Sequence, residues 1–151
     1  MQLQSPGDMP RRRLEDARSY YEAVERSTSY QKQMYAECLI LLGLCSEAVA
    51  VLEEIPDTER NPFVLHRYAK ALLGAQRCSD AVIAIERALA ALRDEKYRSA
   101  FLDVKADALR TIGREDALEV LRAAIAACES GKYRDALLGK AERWGVEDRS
   151  K

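Results

Sequence analysis

Two segments of the chain repeat one another at a distance of 33 residues. Residues 43–56 read GLCSEAVAVLEEIP and residues 76–89 read QRCSDAVIAIERAL, so Cys-Ser, an acidic residue and Ala-Val recur in the same order. Repetition with a period of about 20 to 50 residues is typical of proteins that stack copies of one short supersecondary unit. The duplication therefore favours folds that are built from a single repeated unit.

An alanine that follows an acidic residue and opens an apolar stretch marks five copies of the pattern. The alanines are Ala17, Ala48, Ala81, Ala117 and Ala136, at successive spacings of 31, 33, 36 and 19 residues. The first three spacings surround the period of about 34 residues of a helix–turn–helix repeat. The last spacing is about one helix plus a turn, so the final helix begins where the first helix of a further repeat would stand.

The stretches between these alanines also have helical character. They cover residues 30–43, 62–75 and 97–112, and each ends near a glycine, the residue that suits the left-handed cap of a helix. Within 79–92, apolar residues recur at spacings of three and four and form one stripe. Prolines occur only at 6, 10, 56 and 62, so no proline interrupts the chain from Phe63 onward. The sequence therefore predicts paired helices.

These helix pairs resemble tetratricopeptide repeats over roughly Leu14 to Trp144. The second unit, from Pro62, has family core residues at Leu65, Tyr68, Ala69, Leu72, Ala81, Ile85 and Ala88. The first unit, from Ser29, matches at Tyr35, Ala36, Leu39, Gly43, Ala48 and Leu52, and the third at Leu102, Ala106, Leu109, Gly113 and Ala117. The fragment GKYRDAL at 131–137 is similar to the family's turn, whereas the family's tryptophan at position four is missing from every unit.

The resemblance implies an all-α fold, a right-handed α-solenoid of about three helix–turn–helix repeats. An N-terminal helix precedes the repeats and a C-terminal capping helix, 132–144, follows them. The expected domain organisation is a flexible N-terminal tail over 1–12, a repeat domain over 13–145 and a polar C-terminal tail over 146–151. The segment 35–62 is also similar to repeats in scaffold subunits of the anaphase-promoting complex.

Several functional classes lack support in the sequence. The formal net charge is −1, which removes the electrostatic basis for nucleic-acid binding. No glycine-rich phosphate loop or nucleophile motif is present, and the chain has one histidine, His66. The four cysteines are spaced by 7, 33 and 50 residues, unlike a zinc site. Cys45, Cys78 and Tyr133 share one repeat position, which is interpreted as a packing position. We expect neither catalysis nor a metal or other cofactor.

The resemblance implies a binding face on the first helix of each pair. The carboxylates on this face, Glu37, Asp103 and Asp107, would repel the acidic tails that chaperone-docking members of the family bind. They suit a protein partner that carries Lys or Arg, in the form of a peptide or an amphipathic helix. By register this concave face carries Tyr30, Gln33, Glu37, Phe63, His66, Lys70, Leu73, Ala100, Asp103, Asp107 and Arg110.

Tyr20, Tyr21 and Val24 lie on a helix with no helix before it, and they are candidates for a homodimer interface. The expected function is a non-catalytic protein–protein interaction module, an adaptor or scaffold subunit. The alternatives are a secretion-type chaperone for a protein client, or a pentatricopeptide-like RNA-binding or accessory subunit of a large complex. The longest apolar run, 38–45, is too short to span a bilayer. The expected compartment is the cytoplasm, or the mitochondrion if a transit peptide has been removed.

Overall fold

The structure, a computed structural model, describes residues 11–23 and 28–150. All regular elements of these residues are helical, which confirms the predicted all-α class. Short 3₁₀ helices cover Asp57–Glu59 and Glu95–Tyr97. The α-helices are α1 (Arg11–Ala23), α2 (Ser29–Leu41), α3 (Cys45–Glu53), α4 (Pro62–Gly74), α5 (Cys78–Ala91), α6 (Arg98–Thr111), α7 (Ala117–Ala127) and α8 (Lys132–Arg149).

Contacts divide the helices between two units. The N-terminal unit contains α1 to α4 and ends at Arg77, and the C-terminal unit contains α5 to α8 and begins at Cys78. In the described part of the chain, no helix has both the length and the apolar character that crossing a membrane requires.

Polar side chains determine where α2 and α4 begin. Thr28 Oγ1 accepts a hydrogen bond from the backbone N–H of Gln31, and Asn61 Oδ1 accepts bonds from the N–H groups of Phe63 and Val64. These caps satisfy N–H groups that have no partner inside a helix. At the other end of α2, Gly43 takes φ +81°, a left-handed conformation that glycine adopts without a steric penalty.

The core of the N-terminal unit is formed by α2, α3 and α4. Helix α2 packs on α1, α3 and α4, and α3 packs on α4. Small residues at the contacts, Ala36, Ala48 and Ala69, have no exposed surface, so the helix backbones approach closely. Leu39 and Leu72 fill the space beside them and are also almost completely buried. Burial of a leucine side chain contributes about 1.5–3 kcal/mol, so these contacts supply much of the stability of the unit.

A close contact joins the beginning of α3 to the end of α4. A methyl group added at Gly74 would overlap Cys45 Sγ, so the two helix ends meet at this distance only with glycine at 74. The Cys45 side chain is partly buried in this contact.

In the C-terminal unit, α6 packs on α5 and α7, and α7 packs on α8. Ser99, on α6, is buried and donates its hydroxyl proton to the carbonyl of Ala124 on α7 at 2.9 Å, which satisfies a polar group inside the core. One apolar cluster of this core consists of Ala106, Leu109, Ala117, Leu121, Ala124, Ile125, Leu137 and Trp144.

The C-terminal helix is longer than predicted. Helix α8 runs to Arg149, so it extends over residues 146–149, for which the sequence predicts a polar tail. Arg110 of α6 explains the extension, because its guanidinium binds Glu147 and Asp148 at 2.8 Å each and holds the last turn. At the other end, α1 begins at Arg11, two residues inside the expected N-terminal tail, and residues 1–10 lie outside the described part.

Candidate partner-binding surfaces

Three polar residues predicted for the binding face of α2 and α4, Gln33, Glu37 and Lys70, are paired within the chain, partly through Arg67, which was not predicted. Arg67 donates to Gln33 Oε1 at 2.8 Å and lies 3.4 Å from a carboxylate oxygen of Glu37. Lys70 Nζ also lies 3.4 Å from the Glu37 carboxylate. Only 16% of the Glu37 side chain is exposed. On this surface, which we call the α2–α4 face, one carboxylate is therefore already shared by two cations of the same chain.

Aromatic side chains form the exposed apolar part of the α2–α4 face. Tyr30 and Phe63 are the second residues of α2 and α4, and they are 69% and 38% exposed. Each stands seven residues, about two helical turns, before the members of the Glu37–Lys70 pair, so both lie on the side where that pair forms. The other predicted residues, His66 and Leu73, are partly buried.

A denser cluster joins α6 to α8. Lys140 Nζ lies 2.7 Å from Asp103 Oδ1 and 2.9 Å from Asp107 Oδ1, and Tyr133 donates its hydroxyl proton to Asp103 Oδ2 at 3.2 Å. Two carboxylates thus share one lysine.

Burial and hydrogen bonds shift the titration of this cluster. Burial opposes the charged form of Lys140, but the bonds to Asp103 and Asp107 outweigh it and raise the Lys140 pKa. Burial raises the pKa of Asp107, and the hydrogen bond from Lys140 offsets only part of that effect. Burial and the charge of Asp103 raise the pKa of the Tyr133 hydroxyl.

Arg110 continues the contact between α6 and α8 toward the C-terminus. Besides its bonds to Glu147 and Asp148, its guanidinium lies 5.0 Å from the centre of the Trp144 ring. Five charged residues of the predicted binding face therefore form ion pairs within the chain: Glu37, Lys70, Asp103, Asp107 and Arg110. The cations that we expected a partner to bring to Glu37, Asp103 and Asp107 are supplied by the chain itself. The fourth predicted residue of α6, Ala100, is partly buried at the N-terminal end of that helix.

The N-terminal tyrosines have different surroundings. The Tyr21 ring lies 5.4 Å from that of Tyr20 and 6.3 Å from that of Tyr35 on α2, so it packs within its own chain. Tyr20 remains 63% exposed. Val24 lies outside the described residues. The possible homodimer interface thus stays a prediction that depends chiefly on Tyr20.

Sequence reasoning missed a groove in the C-terminal unit. Its volume is about 750 Å³, and it is lined by parts of the segments 95–100 and 127–134. A sequence signal for it exists, because the triplet Lys-Tyr-Arg occurs at 96–98 and again at 132–134, each time at the beginning of a helix. Both copies contribute to the lining, and we call this site the KYR groove.

The expected register of Tyr133 needs a correction. Lys140 follows Asp107 by 33 residues, as Lys70 follows Glu37, and both pairs are in contact. Since Tyr133 precedes Lys140 by seven residues, it corresponds to Phe63 of the N-terminal unit. It does not correspond to Cys45, which begins α3, the second helix of a predicted pair.

The remaining polar side chains offer little for chemistry. Among residues 11–23 and 28–150, no group of three or more His, Cys, Asp and Glu is arranged to hold a metal ion. All four cysteines are unpaired thiols, and burial raises the pKa values of Cys38 and Cys45. A raised pKa lowers the thiolate fraction, so these thiols are poor nucleophiles at neutral pH.

Comparison with known proteins adds no family to this description. The chain matches no protein-family model, no curated protein and no solved structure.

Proposed function

We propose that this chain is a non-catalytic protein–protein interaction module with tetratricopeptide-like repeats, which binds a segment of a partner protein on the α2–α4 face. The observation that carries the proposal is a contact repeated with the period of the sequence. Glu37 meets Lys70, and Asp107 meets Lys140, each 33 residues further along the chain. Helical repeats stack through equivalent contacts of this kind and display extended surfaces for partners.

The exposed aromatic residues of the α2–α4 face indicate how a partner would bind. Tyr30 and Phe63 present apolar rings beside the neutralised polar pairs. Aromatic residues are enriched in the cores of protein interfaces, where they contribute most of the binding energy. A partner segment with apolar side chains at helical spacing could cover both rings. A scaffold subunit and a chaperone for a protein client would both use the face in this way.

The RNA-binding alternative is less well supported by the charges. The chain has a formal net charge of −1, and the cations of the α2–α4 face, Arg67 and Lys70, are already bound by Glu37. Affinity for a polyanion depends on cations that are free to neutralise phosphates.

Site-specific photo-cross-linking tests the proposal. The photoreactive amino acid p-benzoylphenylalanine replaces Tyr30 or Phe63 in the full chain, which is irradiated in cells that express it natively. A third chain carries it at Ile83, which is 60% exposed on α5, as a matched control. We expect discrete protein adducts from positions 30 and 63 and little from position 83.

The identified partner then provides the quantitative test. We expect Tyr30→Ala to weaken its binding at least about tenfold, the effect of removing a central aromatic contact. Equal adducts from all three positions, or adducts that contain RNA, would contradict the proposal.

A further inference from the structure

Three cations in the lining of the KYR groove form no ion pair with a described residue. They are Lys96, Lys132 and Arg134. Arg98, the remaining cation of the two triplets, is held by the carboxylate of Glu95 through two hydrogen bonds. The groove therefore differs from the α2–α4 face, where both cations form ion pairs with Glu37.

Two of the carboxylates that line the groove or contact its lining residues are occupied. Glu95 is bound to Arg98, and Asp103, beside Tyr133, accepts hydrogen bonds from Tyr133 and Lys140. Glu129 is the lining carboxylate that forms no ion pair with a described residue. The lining residues thus include three cations and one carboxylate without an ion pair, and the carboxylates of Asp94 and Asp135 lie directly beside these segments in the chain.

The groove also has an apolar part. The rings of Tyr97 and Tyr133 are 37% and 44% exposed, and Ala100, Ala127 and Cys128 line the space with them. A volume of about 750 Å³ falls within the range of roughly 300–1,000 Å³ that is usual for binding pockets. An occupant with both carboxylates and a few apolar side chains would match this lining.

We propose that the KYR groove binds a short acidic segment of a partner protein. Carboxylates of the segment bind Lys96, Lys132 and Arg134, and an apolar side chain lies against the Tyr133 ring. The inference rests on the proposed interaction function, but it concerns a second surface with its own residues. The charge preference of this surface is also the opposite one. We expected the carboxylates of the first helices to suit a basic partner, whereas the KYR groove binds an acidic one.

One contact favours a peptide over a single-stranded nucleic acid. The Lys96 ammonium lies 5.5 Å from the centre of the Tyr97 ring, so it covers a ring face on which a base would stack. A nucleic acid would have to displace this ammonium group before a base could stack on Tyr97, whereas a peptide carboxylate can bind the ammonium group where it lies.

Fluorescence anisotropy with the full chain tests the proposal. The probe is a fluorescein-labelled decapeptide of alternating Glu and Leu, titrated at low salt. Its comparison probes are the Lys–Leu decapeptide and a ten-nucleotide oligouridine. The variant Lys96→Gln/Lys132→Gln/Arg134→Gln removes the open cations of the groove. The matched control Arg87→Gln/Arg122→Gln/Arg149→Gln removes the same charge from exposed positions of the same unit that do not line the groove.

We expect the acidic peptide to bind at least about tenfold more weakly to the groove variant and within about twofold of the original affinity to the control. High salt should weaken binding to the unchanged protein, because the contacts are exposed ion pairs. Thermal unfolding followed by circular dichroism checks that both variants fold. If the groove variant does not fold, Lys132→Gln alone replaces it, with an expected loss of about threefold.

Four results would overturn the proposal: no binding of the acidic peptide, equal losses in the two variants, tighter binding of the basic peptide, or tighter binding of oligouridine that the groove variant abolishes. The two proposals can fail separately. If position 30 gives cross-links but the acidic peptide does not bind, only the proposal for the KYR groove is overturned. If the acidic peptide binds but those cross-links are missing, only the proposal for the α2–α4 face is overturned.

Discussion

The same pair of repeat positions has opposite charge balances in the two units. In the N-terminal unit, Arg67 and Lys70 share one carboxylate, Glu37, at 3.4 Å. In the C-terminal unit, Asp103 and Asp107 share one lysine, Lys140, at 2.7–2.9 Å. Removing a cation leaves a second cation on Glu37 in the first case, whereas in the second it leaves two carboxylates that face each other.

The two contacts have the same spacing in the sequence but differ in the groups that form them. The spacing of 33 residues is the same in Glu37–Lys70 and Asp107–Lys140. The surrounding groups differ, since Tyr133 and Trp144 contact the second cluster. The dependence of each unit on its lysine should differ accordingly.

The largest effect should come from Lys140→Met. We expect it to lower the free energy of unfolding by about 2 kcal/mol, less than for a fully buried pair because the cluster is partly exposed. The matched variant Lys70→Met should cost about 0.5 kcal/mol, because Arg67 still binds Glu37. Urea denaturation measures both values, and equal costs would contradict the proposed difference between the units.

A close contact in the N-terminal unit gives the next largest effect. Gly74→Ala should lower the free energy of unfolding by about 1.5 kcal/mol, because the new methyl group overlaps Cys45 Sγ. The double variant Cys45→Ala/Gly74→Ala should recover part of this loss in the same denaturation experiment. If Cys45→Ala gives no recovery, the contact does not cause the loss.

The third effect is a pH dependence of the Lys140→Met variant. Burial raises the Asp107 pKa, so the folded state binds the proton more tightly than the unfolded state, and stability from this group rises as the pH falls through that pKa. Loss of the lysine removes the hydrogen bond that opposes the shift. We therefore expect the deficit of the variant relative to the original chain to shrink between about pH 7 and about pH 4.5. A deficit that stays constant or grows on acidification would contradict this assignment.

The smallest effect has the opposite sign. Gly145 lies within α8, and a methyl group added there meets no atom within 4 Å. Gly145→Ala should therefore raise the free energy of unfolding by about 0.7 kcal/mol, because alanine restricts the unfolded chain and favours the helix. Thermal unfolding of Gly145→Ala and Gly74→Ala, measured side by side, compares the two sites. A lower stability of both variants would contradict the prediction for position 145.

Local signals explain which elements could be predicted from the sequence. The stretches 30–43, 62–75 and 97–112 correspond to α2, α4 and α6 within two residues, because capping residues and terminal glycines act within one turn of the chain. The end of α8 could not be predicted in this way. Its last turn depends on Arg110, which is 37 residues away from Glu147.

The candidate site was less predictable than the helices. The register placed Glu37, Asp103 and Asp107 on the first helices, but it did not reveal that cations of neighbouring helices reach them. That information depends on packing between segments far apart in the chain. The KYR groove was missed for the same reason, although its two triplets were visible in the sequence.

Alkylation of the cysteines can report local opening of the chain. Cys38 and Cys78 are buried, Cys38 in the N-terminal unit and Cys78 at the beginning of the C-terminal unit, whereas Cys45 and Cys128 are partly exposed. A thiol-specific reagent therefore reaches Cys38 and Cys78 only when the helices around them open. Mass spectrometry of the alkylation rates at these two thiols would time the opening of each unit separately, without any substitution in the chain.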